Sequence, residues 1–159
     1  HSNYGNALKR MGKIEEAIAE YREAIRLKPN SVSAYNNLGN LFYHQGDYEQ
    51  AARYFEEAIR RGTVKAEPYS NLGAVRYQQG RFPEAEEQYR IALRLQPHYV
   101  EARNGLGVVL MKQGRLEEAI SQLTEALRLQ PDHPRARANL SAAQSTHAGS
   151  SQPSEPVDF

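Results

Sequence analysis

Glycine recurs in this chain at a fixed interval of 34 residues, and that period constrains the fold more than any other feature. The first glycine column consists of Gly5, Gly39, Gly73 and Gly107. Seven residues later, a second column repeats the interval through Gly12, Gly46, Gly80 and Gly114. With 11 glycines among 159 residues, chance would place glycine at three further specified positions about three times in ten thousand. The chain is therefore built from repeats.

One period, taken from Val32 to Lys65, divides at Gly46 into two segments of helical length. The first segment carries apolar residues on one face: Tyr35, Leu38 and Phe42. The second does the same with Ala51, Phe55 and Ala58. Glycine supplies a left-handed turn between the helices, and small side chains mark where helices approach closely. A single helix pair cannot bury its apolar faces alone, so the pattern predicts an all-α solenoid of stacked helix-turn-helix repeats.

Charge, cysteine content and hydropathy exclude several other classes. The chain has 20 Lys and Arg against 19 Asp and Glu, so it lacks the basic excess of a nucleic-acid-binding surface. The absence of cysteine excludes disulfides, thiolate zinc sites and thiol nucleophiles. No apolar stretch approaches the roughly 18 to 20 residues that cross a bilayer, so we expect a soluble chain without membrane insertion, with the cytoplasm favoured. Because the chain begins at His1 and shows no signal peptide, we expect it to be part of a longer protein.

The order of residues within the period resembles the tetratricopeptide repeat (TPR). The second repeat carries the matching residues Tyr35, Leu38, Gly39, Phe42, Ala51, Phe55 and Ala58. This resemblance implies a right-handed α-solenoid. The chain departs from the family pattern at Arg76 and Arg103, which replace aromatic residues, and at Thr63, which replaces proline.

The resemblance covers residues 1–144 and divides them into repeats. We predict a partial first repeat at residues 1–31, full repeats at 32–65, 66–99 and 100–133, and a capping helix at 134–144. The polar composition of this last helix would shield the final apolar face. Residues 145–159 are rich in Ser, Pro and Gly, so we predict a flexible tail.

No group of residues has the spacing of a catalytic or cofactor site. The five histidines include no pair at the spacing of metal ligands. Paired glutamates recur along the repeats at 15–16, 56–57, 86–87 and 117–118, which is typical of a salt-bridging helical surface. The glycine-rich segment at residues 5–12 lacks the ending of a phosphate loop. We therefore predict no enzyme activity, no metal and no cofactor.

Asparagine recurs at the sixth position of the repeat, where the fold has no evident need for it. The column consists of Asn3, Asn37, Asn71 and Asn139, with Gly105 as the one interruption. Asparagine is a middling-to-poor helix former, so its recurrence inside a helix needs a reason. One hypothesis is that it braces the neighbouring repeat through side-chain hydrogen bonds. The other is that the carboxamides, which both donate and accept, bind the backbone of an extended peptide.

The family resemblance implies where such a peptide would lie. In TPR proteins the first helices line a concave groove, and the asparagine column is similar to the ladder in the repeat domain of O-linked N-acetylglucosamine transferases. Helical spacing brings further residues near this stripe, namely Asn6, Asn40, Tyr43 and Tyr77. Less direct candidates are Asn36, Asn104 and Lys112. Glu67 and Asn71 stand where cochaperone repeats carry carboxylate-binding cations, so a clamp for chaperone tails is not predicted.

We predict a noncatalytic interaction scaffold that binds an extended segment of a protein partner in its groove. One alternative is that the chain is the substrate-selecting part of a larger enzyme, such as a glycosyltransferase, or of a membrane-anchored protein. Another is self-assembly into a homo-oligomer, through Tyr4, Leu8 and their neighbours on the truncated first repeat. In a further form of self-assembly, the tail with Glu155 and Asp158 docks in a neighbour's groove.

Overall fold

A computed structural model describes residues 1–151, which form nine α-helices and no strand. The helices are α1 (Ser2–Arg10), α2 (Ile14–Leu27), α3 (Val32–His44), α4 (Tyr48–Arg60), α5 (Ala66–Gln78), α6 (Phe82–Leu95), α7 (Val100–Lys112), α8 (Leu116–Leu129) and α9 (Pro134–Ser150). The first eight pair as four hairpins, and α9 follows them. The predicted all-α fold of helical repeats is confirmed.

The chain divides into two compact units, residues 1–97 and residues 98–159. In the first unit three hairpins stack, because α2 packs against α3 and α4 packs against α5. Side chains from successive hairpins form its core, among them Leu8, Tyr21, Leu38, Phe55 and Leu72. In the second unit, described as far as residue 151, α7 pairs with α8 and α9 packs against both. Within each unit the helices are therefore held by their nearest neighbours, as in a solenoid.

The two glycine columns have the two roles that the sequence predicts. A Cβ atom on Gly39 would lie 2.6 Å from Cε1 of Phe55. Since carbon atoms pack at about 3.5–4.0 Å, α3 and α4 can approach this closely only where the side chain is absent. Gly46, from the second column, has a φ of +79° and follows the end of α3. This left-handed conformation costs glycine little, and it turns the chain into α4.

The last helix differs from its predicted extent. It ends at Ser150, six residues beyond the predicted end of the capping helix at residue 144. Thr146 Oγ1 donates to the carbonyl of Ala142, and Ser150 Oγ donates to the carbonyl of His147, both at 2.9 Å. The boundary at 144 is therefore too early: Ser and Thr favour loops by propensity, but here Thr146 and Ser150 lie within the helix and their hydroxyls bond to its carbonyls. The remainder of the predicted tail, residues 152–159, lies outside the described residues.

Candidate functional site

The first helices of the first unit each leave one side exposed, and that side is polar. On α3 the accessible stripe consists of Ser33, Asn37, Asn40 and His44. On α5 it consists of Glu67, Asn71, Ala74 and Gln78. These spacings of three and four residues place each stripe on one face of its helix. The partly buried tyrosines Tyr43 and Tyr77 lie beside them.

Because α3 and α5 contact each other, the two stripes form one surface. Gln78 Nε2 lies 3.4 Å from the hydroxyl of Tyr43, which joins the stripes near the C-terminal ends of the helices. We call this surface the amide face and define it by Asn37, Asn40, Tyr43, Asn71, Tyr77 and Gln78. None of these side chains carries a formal charge. The amide face therefore presents neutral hydrogen-bonding groups and aromatic rings, and the carboxylate of Glu67 lies one turn before Asn71 on the same stripe.

A buried asparagine connects α3 with α5. Asn36 is 6% exposed, and its Nδ2 donates to Oε1 of Glu67 at 2.9 Å. Its Oδ1 accepts a hydrogen bond from Nδ2 of Asn71 at 3.1 Å. The buried carboxamide thus uses both its donor and its acceptor, as buried polar groups require. Asn71 braces the neighbouring repeat in this way, and its own Oδ1 remains an acceptor.

The second unit contains the same asparagine pair. Asn104 of α7 is 7% exposed and accepts a hydrogen bond from Nδ2 of Asn139 of α9 at 2.9 Å. Beside this pair, Glu101 accepts from Nε2 of His133 at 3.0 Å and from Nη2 of Arg135 at 3.1 Å. Nδ1 of His133 accepts from a backbone amide in the first turn of α9 and caps that helix. The brace is therefore a recurring part of the scaffold.

The other predicted site residues differ in whether their polar groups have partners inside the protein. Oδ1 of Asn6 accepts a hydrogen bond from the hydroxyl of Tyr21 at 2.5 Å, so it belongs to the first hairpin. Within residues 1–151 the following side chains form no hydrogen bond or ion pair: Asn3, Asn37, Asn40, Tyr77 and Lys112. Their polar groups are available to a ligand.

Asn36, predicted only as a less direct candidate for ligand contact, makes two bonds to α5 that were not predicted. A signal for these bonds exists in the sequence. Both braces join residues 35 positions apart, which is one more than the repeat period. An asparagine at the fifth position of one repeat, followed by an asparagine at the sixth position of the next, therefore marks the brace.

Arg76, which departs from the aromatic pattern, is held by carboxylates from two other helices. Its side chain is 13% exposed and pairs with Glu56 of α4. Its Nε lies 3.6 Å from Oε2 of Glu84 on α6. At the equivalent position of the second repeat, Phe42 stacks on Tyr54 with ring centroids 5.4 Å apart. Ionic contacts thus replace aromatic packing in the third repeat.

The paired glutamates form surface ion pairs, which confirms their prediction as a salt-bridging surface. The pairs within helices or at their first turns include Glu16 with Lys13, Glu57 with Arg60, Glu86 with Arg90 and Glu118 with Arg115. Similar pairs occur elsewhere on the second helices. A hydrogen bond from Arg26 lowers the pKa of the Glu23 carboxyl, and one from Arg128 lowers the pKa of Glu125. Most of these pairs are exposed and contribute little to stability, whereas Glu86 and Arg90 are partly buried.

Two other kinds of feature are absent from residues 1–151. Over residues 1–151, no three His, Asp or Glu side chains converge as ligands for a metal ion. In the same part of the chain, no helix has the length and apolar character needed to cross a membrane.

Comparison with sequence families identifies the repeat. A model described as TPR repeat matches residues 5–46, and one described as Tetratricopeptide repeat matches residues 32–61. A further Tetratricopeptide repeat model matches residues 71–134 and 109–147. The chain therefore belongs to the tetratricopeptide repeat family. Members of this family are typically noncatalytic interaction modules, so fold and family define a protein-interaction scaffold.

Solved structures give the same fold. YrrB, described as a TPR protein with an unusual peptide-binding site, is 28% identical over 92% of this chain and 76% of its own, with a TM-score of 0.75. MamA is 23% identical over 91% of this chain and 84% of its own, with a TM-score of 0.80. The first TPR of Spaghetti (RPAP3), solved with an HSP90 peptide, is 21% identical over 74% of this chain and 93% of its own, with a TM-score of 0.71. Comparison with curated proteins finds no match.

Proposed function

We propose that the amide face binds an extended segment of a partner protein through the backbone of that segment. Asn37 and Asn40 carry the proposal, because their partly exposed carboxamides lie one turn apart and have no partner among the described residues. A carboxamide donates and accepts, so it matches both the N–H and the C=O of an extended peptide. Tyr43 and Tyr77 add aromatic rings for apolar contact, and each ring carries a hydroxyl group that can form a hydrogen bond.

Two further observations support a peptide ligand. The residues that define the amide face are neutral and the adjoining stripes carry a single carboxylate, Glu67, which suits recognition of backbone more than of charged side chains. YrrB, which is 28% identical to this chain, is described as having a peptide-binding site. The function proposed for this chain is noncatalytic. Asn71 contributes its free Oδ1, and Asn3 of the same unit remains an additional proposed contact. Lys112 lies in the second unit and is a separate prediction that is not part of the amide face.

Three predicted asparagines cannot serve as simple tests of ligand binding, because their side chains already form hydrogen bonds within the protein. Asn6 is engaged by Tyr21, and Asn104 and Asn139 are engaged by each other. Their substitution would alter the scaffold as well as any ligand contact. The decisive variant therefore changes Asn37 and Asn40, which the fold does not use.

A library of random 12-residue peptides displayed on phage, selected on the intact chain, supplies the probe for this test. Binding of a selected peptide is then measured by fluorescence anisotropy. The double substitution Asn37→Ala and Asn40→Ala should weaken binding about 5- to 150-fold, since each lost hydrogen bond is worth about 0.5–1.5 kcal/mol. The helical circular dichroism signal should not change.

The matched control removes two exposed carboxamides outside the amide face, through Gln96→Ala with Gln130→Ala. This variant should bind the peptide as the parent does. Equal affinity of the parent and the Asn37/Asn40 variant would contradict the proposed function.

A further inference from the structure

A groove of about 470 Å³ lies in the first unit between α4, α5 and α6. This volume falls within the range of about 300–1,000 Å³ that is common for ligand pockets. On α5 the groove is lined by Tyr69, Leu72 and Arg76, whose spacing of three and four residues places them on the side opposite Asn71. Isoleucines of the flanking helices, Ile59 and Ile91, complete its apolar lining. We call it the helix groove, and it shares no residue with the amide face.

The second repeat fills the equivalent space with aromatic side chains. Phe42 of α3 and Tyr54 of α4 stand there at the positions of Arg76 and Gln88, which come 34 residues later. The two rings stack with centroids 5.4 Å apart and an interplanar angle of 2°. The third repeat lacks both rings, so the helix groove opens where the second repeat holds an aromatic pair. A ligand that supplies a ring would restore a packing arrangement that the fold already uses.

Arg76 presents a flat guanidinium to the helix groove. Its Nη1 donates to Oε1 of Gln79 at 2.9 Å, its Nη2 pairs with Glu56, and its Nε lies 3.6 Å from Oε2 of Glu84. Because the N–H groups lie in the plane of the guanidinium, these partners hold its edges and leave its faces for other contacts. No aromatic ring within residues 1–151 stacks on this group. Arginine stacks readily on aromatic rings, so a ring suits this position.

The charge around the helix groove favours a basic residue beside that ring. The lining carries two guanidiniums and three carboxylates, namely Arg60, Arg76, Glu56, Glu84 and Glu87. Glu56 and Glu84 pair with Arg76, and Arg60 pairs with a carboxylate outside the lining. Glu87 is exposed and forms no ion pair or hydrogen bond within residues 1–151. A lysine or arginine of a ligand can therefore reach Glu87 without displacing a partner.

We infer that the helix groove binds a segment of a partner protein in which an aromatic residue stands beside a lysine or arginine. The aromatic ring stacks on Arg76, and the basic side chain pairs with Glu87. The hydroxyl of Tyr69 and the carboxamide of Gln88 have no partner within residues 1–151, so they are available to the rest of the segment. The inference does not rest on the proposed function, since it concerns another side of α5 and recognition of side chains rather than of backbone.

A subtractive selection separates ligands of the helix groove from ligands of the amide face. Phage that display random 12-residue peptides are first depleted on the variant Arg76→Phe with Gln88→Tyr and then selected on the intact parent chain. The variant restores the ring pair of the second repeat, so it should fill the groove and leave the amide face unchanged. The enriched peptides should carry Phe, Tyr or Trp next to Lys or Arg. Enrichment of no peptide, or of peptides without an aromatic residue, would overturn the inference.

Fluorescence anisotropy then measures how a selected peptide binds the full chain. Replacing its aromatic residue by leucine should weaken binding about tenfold, because stacking on the guanidinium is lost. Gln88→Tyr alone, which keeps Arg76 and its ion pairs, should weaken binding by a similar factor. This second variant keeps the test valid if the double variant does not fold, as thermal unfolding will establish. Unchanged affinity of the Gln88→Tyr variant would overturn the inference.

Substitution of Glu87 tests the basic residue of the ligand. Glu87→Gln should weaken binding about threefold, the effect expected for an exposed ion pair. The matched control is Glu15→Gln, which neutralises another exposed and unpaired glutamate of the first unit outside the groove and should not change the affinity. Asn37→Ala with Asn40→Ala should also bind as the parent does, so a failure of the amide face would leave this result unaffected. Equal affinities of the two glutamate variants would overturn the assignment of Glu87.

Discussion

The two units share the asparagine brace but present different surfaces around it. On α3 the sixth, ninth and twelfth positions of the repeat are Asn37, Asn40 and Tyr43. On α7 the same positions are Gly105, Val108 and Met111. The brace bonds are nevertheless similar, at 3.1 Å in the first unit and 2.9 Å in the second. The asparagines bonded between repeats therefore belong to the scaffold, whereas Asn37 and Asn40, which have no partner within residues 1–151, belong to the surface that varies.

The largest difference we expect between the units is in the stability lost when alanine replaces the glycine at which two helices approach closely. A Cβ on Gly39 would meet the ring of Phe55, whereas one on Gly107 would meet Cγ of Leu123, each at 2.6 Å. The three nearest atoms of the Phe55 ring lie 2.6, 2.7 and 2.9 Å from the Cβ position, whereas those of Leu123 lie at 2.6, 2.9 and 3.2 Å, so more of the ring has to move. Gly39→Ala should lower the free energy of unfolding by about 3 kcal/mol and Gly107→Ala by about 1 kcal/mol, measured by urea unfolding.

Gly149→Ala is the control for these two substitutions. Gly149 lies in α9, and a Cβ there would meet no atom within 4 Å. Alanine should therefore stabilise the protein by about 0.5 kcal/mol through its helix propensity. If the Gly39 and Gly107 variants lost the same stability, the contrast between ring and leucine would be wrong.

The two asparagine braces should differ, by a smaller amount, in how much they stabilise the protein against unfolding. Asn36→Ala leaves two α5 side chains without a partner, whereas Asn104→Ala leaves only Asn139. We expect losses of about 2 and about 1 kcal/mol in the free energy of unfolding, because the first substitution removes two hydrogen bonds and the second removes one, each worth about 0.5–1.5 kcal/mol. Asn37→Ala, which removes the adjacent carboxamide that the fold does not use, should change stability little. A cost for Asn37→Ala equal to that for Asn36→Ala would remove the distinction between scaffold and surface.

The smallest effect is a dependence on alkaline pH that belongs to the first unit. Burial raises the pKa of the Tyr21 phenol above its ordinary value of about 10. Above that pH the unfolded chain loses the proton before the folded chain does, so stability is present below pH 10 and falls as the pH rises. Tyr21→Phe should flatten this decline, since Phe55 already fills the equivalent position of the next repeat.

Thermal midpoints at pH 8 and pH 10.5 measure this effect. The parent protein should lose more stability between the two values than the Tyr21→Phe variant. Hydrogen exchange should place the difference in α1 and α2 and leave α7 and α8 unchanged, because Leu123 replaces the tyrosine there. An identical pH response of parent and variant would show that Tyr21 does not titrate in this range.

Much of the fold was predictable because its signals are periodic and local. The glycine interval and the apolar faces determine where the hairpins form, and the close contact of Gly39 with Phe55 follows from them. The end of α9 was not predictable in this way. Ser and Thr between residues 145 and 151 favour loops by propensity, but in α9 their hydroxyls bond to helical carbonyls.

The candidate site was predictable only in part, because its definition depends on contacts between repeats. Sequence spacing brought Asn37 and Asn40 to one stripe, yet it could not distinguish them from Asn71 and Asn139, whose Nδ2 groups are engaged. The partners of Arg76 could not be predicted from the sequence either, since they come from two other helices, α4 and α6. Long-range partners of polar residues require the packed structure.

The brace also limits how the repeats can be rearranged by protein engineers. The fifth position of the second repeat is Asn36, and it needs an asparagine at the sixth position of whichever repeat follows. The third repeat supplies it, but the fourth carries Gly105 there. An array in which the fourth repeat directly followed the second would leave a buried carboxamide without this donor. The repeats share a backbone fold but cannot be exchanged freely, because single side chains determine which repeat can follow which.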